Sequence, residues 1–486
     1  MMILECQLNS DRDRLRLRTD DAGWIELSAW RLYGTGRFCV PQISVVGIPA
    51  GGALAEVAFD DGHTVVLRAQ ELSPQGPPTL VIRNIGQLVR WTADGTFEAV
   101  ADALILVRND RILAAGPRAE VLASLAGPIP AGVRELDAGE AVVSSGLVDP
   151  HTHPVFAGDR AREFALRKAG ATYAEIQAAG GGILSTMRAT RAATDDELFD
   201  SAVGRLRRMA GYGVTSIEGK SGYALDAEGE LRSLQVLRRL GARCAVDVSP
   251  TLLAAHIVPP EFASDPAAYV RLIIEDMIPR ARGLAVSVDV FCEDNAFSLA
   301  QTVEILEAAR AAGLKTRAHA GQFHSLGAVG AAARLGALSV DHLEQVSEDE
   351  FSALAATGQT VAVLLPGAAL TLGLPFPSGR AFLDRGIPVA VGTDCNPGTS
   401  MTENLPMAGT LACMQMHLTV EETWDAMTRT AARAAGFGDR GNPVAGAPAD
   451  LVVWDFAHYG VLPYHYGVRH VRTLIRQGLE VQLESE

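Results

Sequence analysis

Long apolar runs, paired cysteines and positive charge are what this 486-residue chain has little of. No stretch reaches the roughly 18 apolar residues that a spanning helix needs, so no membrane segment is expected. The opening residues, MMILECQLNSDRDR, lack a basic region, an apolar core and a small-residue cleavage site, and no secretory leader is expected. The six cysteines (Cys6, Cys39, Cys244, Cys292, Cys395 and Cys413) form no C-x-x-C pair and no dense framework, and they read as reduced thiols in a cytoplasmic protein. Lys plus Arg number 42 against 57 Asp plus Glu, a net charge of −15 that repels phosphate backbones and anionic lipid. Nucleic acid and membrane are therefore not expected as partners. An anionic small substrate stays open only if a specific cation meets it.

What is present is an ordinary globular composition, 48% hydrophobic and 20% charged, in a chain too long for one compact core. Residues 1–76 predict a β-rich appendage of unknown role: short strands at Leu15–Leu17, Trp24–Leu32, Ala55–Phe59 and Thr64–Leu67, the last two joined by the hairpin signal Asp60-Asp61-Gly62. The run Ser73-Pro74-Gln75-Gly76-Pro77-Pro78 closes that segment. Short strands then fill 79–142 and return at 441–486, for example Asp450–Asp455 and Val471–Ile475, which predicts two parts of one small β-sandwich. Between them, over 143–440, strand-like runs at 143–148, 213–217, 244–254, 285–291, 315–319, 337–341, 360–365 and 388–393 alternate with helical stretches. Eight such units predict an α/β chain folded as a (β/α)8 TIM-like barrel. One helix shows the pattern: Ser298 and Gln301 make a capping box, Leu299, Val303 and Leu306 an apolar stripe, and Gly313 a stop.

Active sites of such barrels lie at the carboxyl ends of the strands. The first run ends in Asp149-Pro150-His151-Thr152-His153, where strand alternation turns both imidazoles to one side and Pro150 is expected to end the ladder. The second ends in Glu218-Gly219-Lys220-Ser221-Gly222-Tyr223, the third in His256, the fifth in His319, the sixth in Asp341-His342 and the eighth in Asp394-Cys395-Asn396. Five of the eleven histidines fall at these ends. His151, His153, His319 and Asp394 form a candidate metal site whose nitrogen and oxygen donors suit zinc or iron, with a coordination position left for water. His342 and His256 are candidate functional groups, and Arg160 is read either as a surface charge or as part of the site. His324, His63, His417, His458, His465 and His470 read as background, Cys292 and Cys395 as structural, and Gly180-Gly181-Gly182 as a flexible loop.

Together these residues resemble the amidohydrolase superfamily, and within it the imidazolonepropionase family. The segments that carry the likeness are DPHTHPVFAGDR (149–160), GGGILSTMRATRAA (180–193), KSGYALD (220–226), AAH (254–256), VDVFCED (288–294), DHLE (341–344), VLLPGAA (363–369) and TDCNPGTS (393–400). The likeness runs from about residue 79 to the C-terminus. It implies one divalent or ferric ion, zinc or iron, on His151, His153, His319 and Asp394. Substrate contacts are implied at Arg160, Tyr223, His256, Gln322, Asn396, Gly398 and Thr399. The implied reaction is hydrolysis of 4-imidazolone-5-propanoate to N-formimino-L-glutamate in histidine degradation, by a cytoplasmic homodimer. Asp394 would move the water proton to the leaving ring nitrogen, His256 and His342 would polarise the carbonyl, and Arg160 would clamp the propionate. Departures stand at Gly219, where the family has a β-branched residue, and at Gly321, where it has an acidic one; Gln322, where the family has Gln or Glu, is a candidate catalytic residue with Asp394, His342 and His256 but cannot itself act as a base.

Three rival readings use the same residues. A ring deaminase or another cyclic-amide hydrolase needs no propionate clamp. A binuclear hydrolase would bridge two ions with Lys220 or Glu218. A non-catalytic scaffold would have kept the fold and lost the metal.

Overall fold

The computed structural model describes residues 2–20, 23–49, 52–68, 77–125, 127–171, 175 and 181–483. Residues 73–76 of the Pro/Gly run and Gly180 of the triple glycine lie outside the described residues. Eight strands form the barrel: β1 (Leu147–Thr152), β2 (Val214–Lys220), β3 (Asp247–Ala255), β4 (Ser287–Cys292), β5 (Lys315–Ala320), β6 (Ser339–His342), β7 (Val361–Leu364) and β8 (Val389–Val391). They pair in chain order and every pairing is parallel. The ring closes just beyond β8: the Asp394 amide donates to the His151 carbonyl at 3.1 Å, the His153 amide to the Cys395 carbonyl at 3.0 Å, and Thr152 bridges Cys395 in parallel. Closure therefore brings Asp394 against the two histidines of β1.

The run read as one strand at 143–148 is two. Val142–Ser145 pairs antiparallel with Leu451–Trp454 and belongs to the flanking sheet, whereas β1 begins at Leu147. Gly146 lies between them because a Cβ there would fall 2.1 Å from the Thr215 hydroxyl. Nor does Pro150 end the ladder, since β1 runs on to Thr152 across a register irregularity between Asp149 and Thr152. The helix Leu299–Ala311 has its Ser298–Gln301 capping box, but its core face is Thr302, Ile305, Leu306 and Ala309. That face follows the i, i+3, i+4, i+7 rule more closely than the stripe read from sequence, and Leu299 is left 38% exposed.

The flanking β domain takes its strands from both sides of the barrel. Its order is Leu479–Glu480, Val471–Arg476, Leu451–Trp454, Val142–Ser145, Leu80–Trp91, Phe97–Arg108 and Arg111–Pro117. Leu80–Trp91 bends at a register break between Ile82 and Ile85, so its first half pairs with Arg134–Asp137 and its second with Val142–Ser145. Leu80, Ile82, Ile105, Val143, Leu451 and Ile475 are buried in the core this encloses.

The N-terminal segment holds two three-stranded antiparallel sheets, Ile3–Leu8 with Arg14–Thr19 and Gly23–Ser28, and Ile43–Gly47 with Leu54–Phe59 and Thr64–Arg68. The hairpin at Asp60–Gly62 joins the last pair. Trp24–Leu32 is not one strand: the Ser28 hydroxyl accepts from the Arg31 amide and starts a short helix, Ala29–Tyr33, whose Ala29, Trp30, Leu32 and Tyr33 are buried. Side-chain capping by serine competes well with strand pairing at such a position. These side chains join the same continuous apolar core as Leu234, Leu237 and Leu240 of the barrel helix Ala227–Arg243. No helix among the described residues is long and apolar enough to cross a membrane.

Candidate active site

The carboxyl end of the barrel gathers five histidines. His151 is fully buried and its Nδ1 lies 2.6 Å from an Asp341 oxygen, so Nδ1–H donates there and Nε2 carries a bare lone pair. That Nε2 is 3.3 Å from His153 Nε2 and 3.5 Å from Asp394 Oδ1, which is in turn 3.6 Å from His153 Nε2. Burial, reinforced by the neighbouring imidazoles and the Lys220 ammonium, holds both imidazoles well below their ordinary pKa, so they are neutral and their lone pairs are available. Ligand bonds of about 2.1 Å at tetrahedral angles separate donor atoms by about 3.4 Å. The spacing of these three atoms therefore fits a cation.

His319 approaches the same group from β5, its ring centroid 4.5 Å from that of His151, and its nitrogen falls within ligand range of His151 and His342. Its Nδ1 lies 3.0 Å from Asp289, and its backbone amide donates to the same carboxylate at 3.2 Å. Burial pulls His319 down to about 4 despite that carboxylate. The sequence reading missed Asp289 and Asp341 as partners of the histidines. Their signal was positional, since both are charged residues set within the apolar runs of barrel strands, where each is wholly buried.

Below this layer Lys220 Nζ contacts Asp289 at 2.7 Å, Glu218 at 3.0 Å and Asp341 at 3.5 Å. Burial opposes its charge, but those three carboxylates outweigh it and push its pKa up. A fully charged ammonium donates hydrogen bonds and has no lone pair for a metal. Lys220 thus joins the two carboxylates that contact His151 and His319.

His342 follows Asp341 yet both side chains turn inward, because His342 and Leu343 have φ of 84° and 68°, which breaks strand alternation. Its Nδ1 faces Glu344 at 3.7 Å, and both Glu344 oxygens are buried with no hydrogen-bond partner. Burial opposes charge on His342, but Glu344, Asp394 and Asp341 override it and raise its pKa. Glu344 was not singled out from sequence, although it closes the DHLE motif.

His256 stacks on His153 with ring centroids 5.6 Å apart and gives its Nδ1–H to the Gly222 carbonyl at 2.9 Å. Burial lowers it to about 4, so its Nε2 is an acceptor. Tyr223, 4% exposed, packs against the rings of both His153 and His256. The loop that carries it is fixed by Glu230, which accepts from the amides of Gly222, Ala224 and Leu225 at 2.7, 2.9 and 2.8 Å. Beyond β8, Asp394 sits at φ 52° and burial raises its carboxyl to about 6. Asn396 spends its side chain on its own loop, accepting from the Gly398 and Thr399 amides and donating to the Asp394 carbonyl, while Thr399 Oγ1 lies 3.4 Å from Asp394.

Arg160 stands just before the helix Ala161–Lys168, with Nε 2.7 Å from Glu163 and its terminal nitrogens toward Gly398, where a Cβ would come within 2.5 Å of Nη1. Arg167, one face of the helix further on, donates to the Gly398 carbonyl at 3.2 Å and was not anticipated. Gln322 is buried two residues past β5. Gly321 before it has φ 70°, and a Cβ there would lie 2.4 Å from the Gln345 carbonyl, which accounts for glycine at this place. Gly219 is hemmed in likewise, 2.7 Å from Leu237.

A sequence profile described as the amidohydrolase family matches residues 177–478. Curated relatives extend further: an imidazolonepropionase of Myxococcus xanthus (strain DK1622) is 44% identical over 410 residues, covering 82% of this chain and 96% of that protein. The chain belongs to the imidazolonepropionase family. Another member, from Geobacillus kaustophilus (strain HTA426), is 41% identical over 382 residues, covering 78% of this chain and 90% of that one. Among solved structures, an adenosine deaminase from Xanthomonas campestris with bound zinc superposes with TM-score 0.62 at 20% identity, covering 85% of this chain and 95% of that one. A guanine deaminase from C. acetobutylicum superposes with TM-score 0.61 at 13% identity, covering 83% of this chain and 99% of that one. At such identity the likeness of these two to this imidazolonepropionase-family chain concerns the fold alone.

Proposed function

We propose that the chain hydrolyses the cyclic amide 4-imidazolone-5-propanoate to N-formimino-L-glutamate, a step of histidine degradation. The observation that carries this reading is the pair of neutral imidazoles of His151 and His153 facing the Asp394 carboxylate at the barrel mouth, with the Arg160 guanidinium beside the Asn396–Thr399 loop. His151, His153, His319 and Asp394 are the residues we assign to one zinc or iron ion. When bound, such an ion supplies a Lewis acid that activates water for attack on the ring carbonyl.

The chain's own groups take the remaining tasks. Asp394, its carboxyl raised to about 6, takes the proton of the attacking water and delivers it to the ring nitrogen as the carbonyl carbon–nitrogen bond breaks. His342, held as a donor by Glu344, stabilises the negative oxygen of the tetrahedral intermediate. We give His256 a different part from the polarising one expected from sequence: its only hydrogen is committed to Gly222, so its Nε2 accepts from a ring N–H of the substrate. Tyr223 forms the wall against which the flat ring lies, and Gln322 lines the same pocket as a neutral hydrogen-bonding group. Asn396 sets the loop so that Gly398 leaves room for Arg160, whose terminal nitrogens meet the propionate, with Thr399 beside it. The cytoplasmic address and the homodimer belong to the same proposal by family likeness.

The deciding test is turnover of freshly prepared imidazolone propanoate by the purified chain, with formiminoglutamate identified by mass. Ammonia release from a purine or pterin with no action on that substrate would replace this reading by the deaminase one.

A further inference from the structure

Cys39 and Cys244 lie on two stretches of chain that meet as an isolated antiparallel pair, one in the N-terminal segment and one at the end of the helix Ala227–Arg243. The hydrogen bonds flanking them run from the Val40 amide to the Arg243 carbonyl at 2.9 Å and from the Ala245 amide to the Phe38 carbonyl at 2.8 Å. That pattern makes 39 and 244 a non-hydrogen-bonded pair, the kind in which Cα atoms stand about 4.5 Å apart with side chains on one face. The separation falls inside the range that a disulfide spans. Among the described residues, no other two cysteines oppose each other across a strand pairing. Both are free thiols; Cys39 is half-buried and Cys244 is 2% exposed.

We propose that Cys39 and Cys244 form a reversible disulfide under hydrogen peroxide, which covalently joins the N-terminal segment to the barrel. The more accessible Cys39 reacts first: its thiolate attacks one peroxide oxygen, the O–O bond breaks, and a sulfenic acid and one water result. The Cys244 sulfur then attacks the Cys39 sulfur, the S–O bond breaks, and the hydroxyl leaves with the Cys244 proton as a second water. Two thiols and one peroxide thus give one disulfide and two waters. The surroundings favour the first step, since the facing Cys244 thiol and, against burial, Arg243, the Val40 amide and Arg207 draw the Cys39 thiol below its ordinary pKa. Arg243 is itself fixed at the junction by donating from Nε to the Val40 carbonyl at 2.7 Å. The pair lies at the amino end of β3, whereas His256 follows its carboxyl end, so the bond forms without touching the site.

The test is stepwise peroxide on the reduced full chain, with thiols counted in denaturant and peptides mapped without reductant. Two of the six thiols should disappear together. A Cys39–Cys244 cross-linked peptide should appear, dithiothreitol should reverse both changes, and turnover should be the same before and after. Cys39→Ser and Cys244→Ser should each abolish the cross-link. Should Cys244→Ser fail to fold, Cys39→Ser at its half-buried position carries the test alone. A sulfinic acid on Cys39 with Cys244 still a thiol, a bridge between other cysteines, or loss of no thiol would each overturn the proposal.

Discussion

At the scale of single residues, two bare imidazole nitrogens and a carboxylate oxygen facing one another within 3.6 Å repel unless a cation sits among them. That repulsion makes the metal prediction specific. His151→Ala removes one donor and also frees Asp341, while His319→Ala does the same to Asp289. Each variant should lose most of its bound metal and its turnover together, as metal analysis alongside rate measurement would reveal; full occupancy with normal rates contradicts the assignment. Arg160 permits an independent test. Its Nε is engaged by Glu163, which leaves the terminal nitrogens for a substrate carboxylate. Arg160→Ala should cost about 2–4 kcal/mol in kcat/KM, as expected when one partner of a desolvated charge pair is removed. Arg160→Lys should recover only part, because a point charge cannot copy the two-pronged geometry. The loss should shrink for a substrate analogue with a neutral tail, and unchanged kinetics in the alanine variant would make Arg160 a surface charge.

At the scale of elements, the barrel was legible because each strand is a short apolar run and the chemistry-bearing residues follow at its end. The positions of His151, His153, His319 and Asp394 could be read for that reason. What escaped was whatever depends on backbone conformation or on partners far along the chain. The left-handed turn at His342 brings Asp341 and His342 to one side, and no sequence pattern announces it. The hinge at Gly146 answers to Thr215, a neighbour 69 residues away, so the run around it looked like one strand. Asp247 is a further case: it opens β3 and pairs with Arg440 and with Arg476, the latter at 2.5 Å, tying the barrel to the C-terminal flank. Burial works against its ionisation, but Arg476 and Arg440 prevail and hold its carboxyl down at about 2. A folded-state pKa below the unfolded one stabilises above the unfolded value, near 4, and that contribution disappears as pH falls through about 2. Asp247→Asn should therefore lower stability at neutral pH by about 2 kcal/mol and flatten the acid loss between those limits. Denaturation of both proteins across that pH range checks it, and parallel curves would show that the pair contributes nothing to linkage.

At the scale of the whole molecule, the N-terminal segment contributes none of the proposed site residues, yet it shares the barrel's apolar core. Trp30, Leu32, Tyr33 and Phe38 are buried in the same continuous cluster as Leu240 and Cys244. Removing residues 1–76 therefore uncovers one flank of the helix Ala227–Arg243 while leaving the strand ends intact. Two consequences separate cleanly. The truncated chain should keep its kcat and KM for imidazolone propanoate, because every proposed contact lies at Asp149 or later. It should also melt at a lower temperature and bind an apolar dye, because burial of several large side chains is worth about 1.5–3 kcal/mol each and their barrel neighbours become exposed. Kinetics at low temperature beside a thermal melt of both chains distinguishes the two effects. A folded truncated chain that loses turnover would mean that the segment shapes the site or an assembly on which the site depends. An unchanged melting temperature would mean that the shared core is only a contact and not a support.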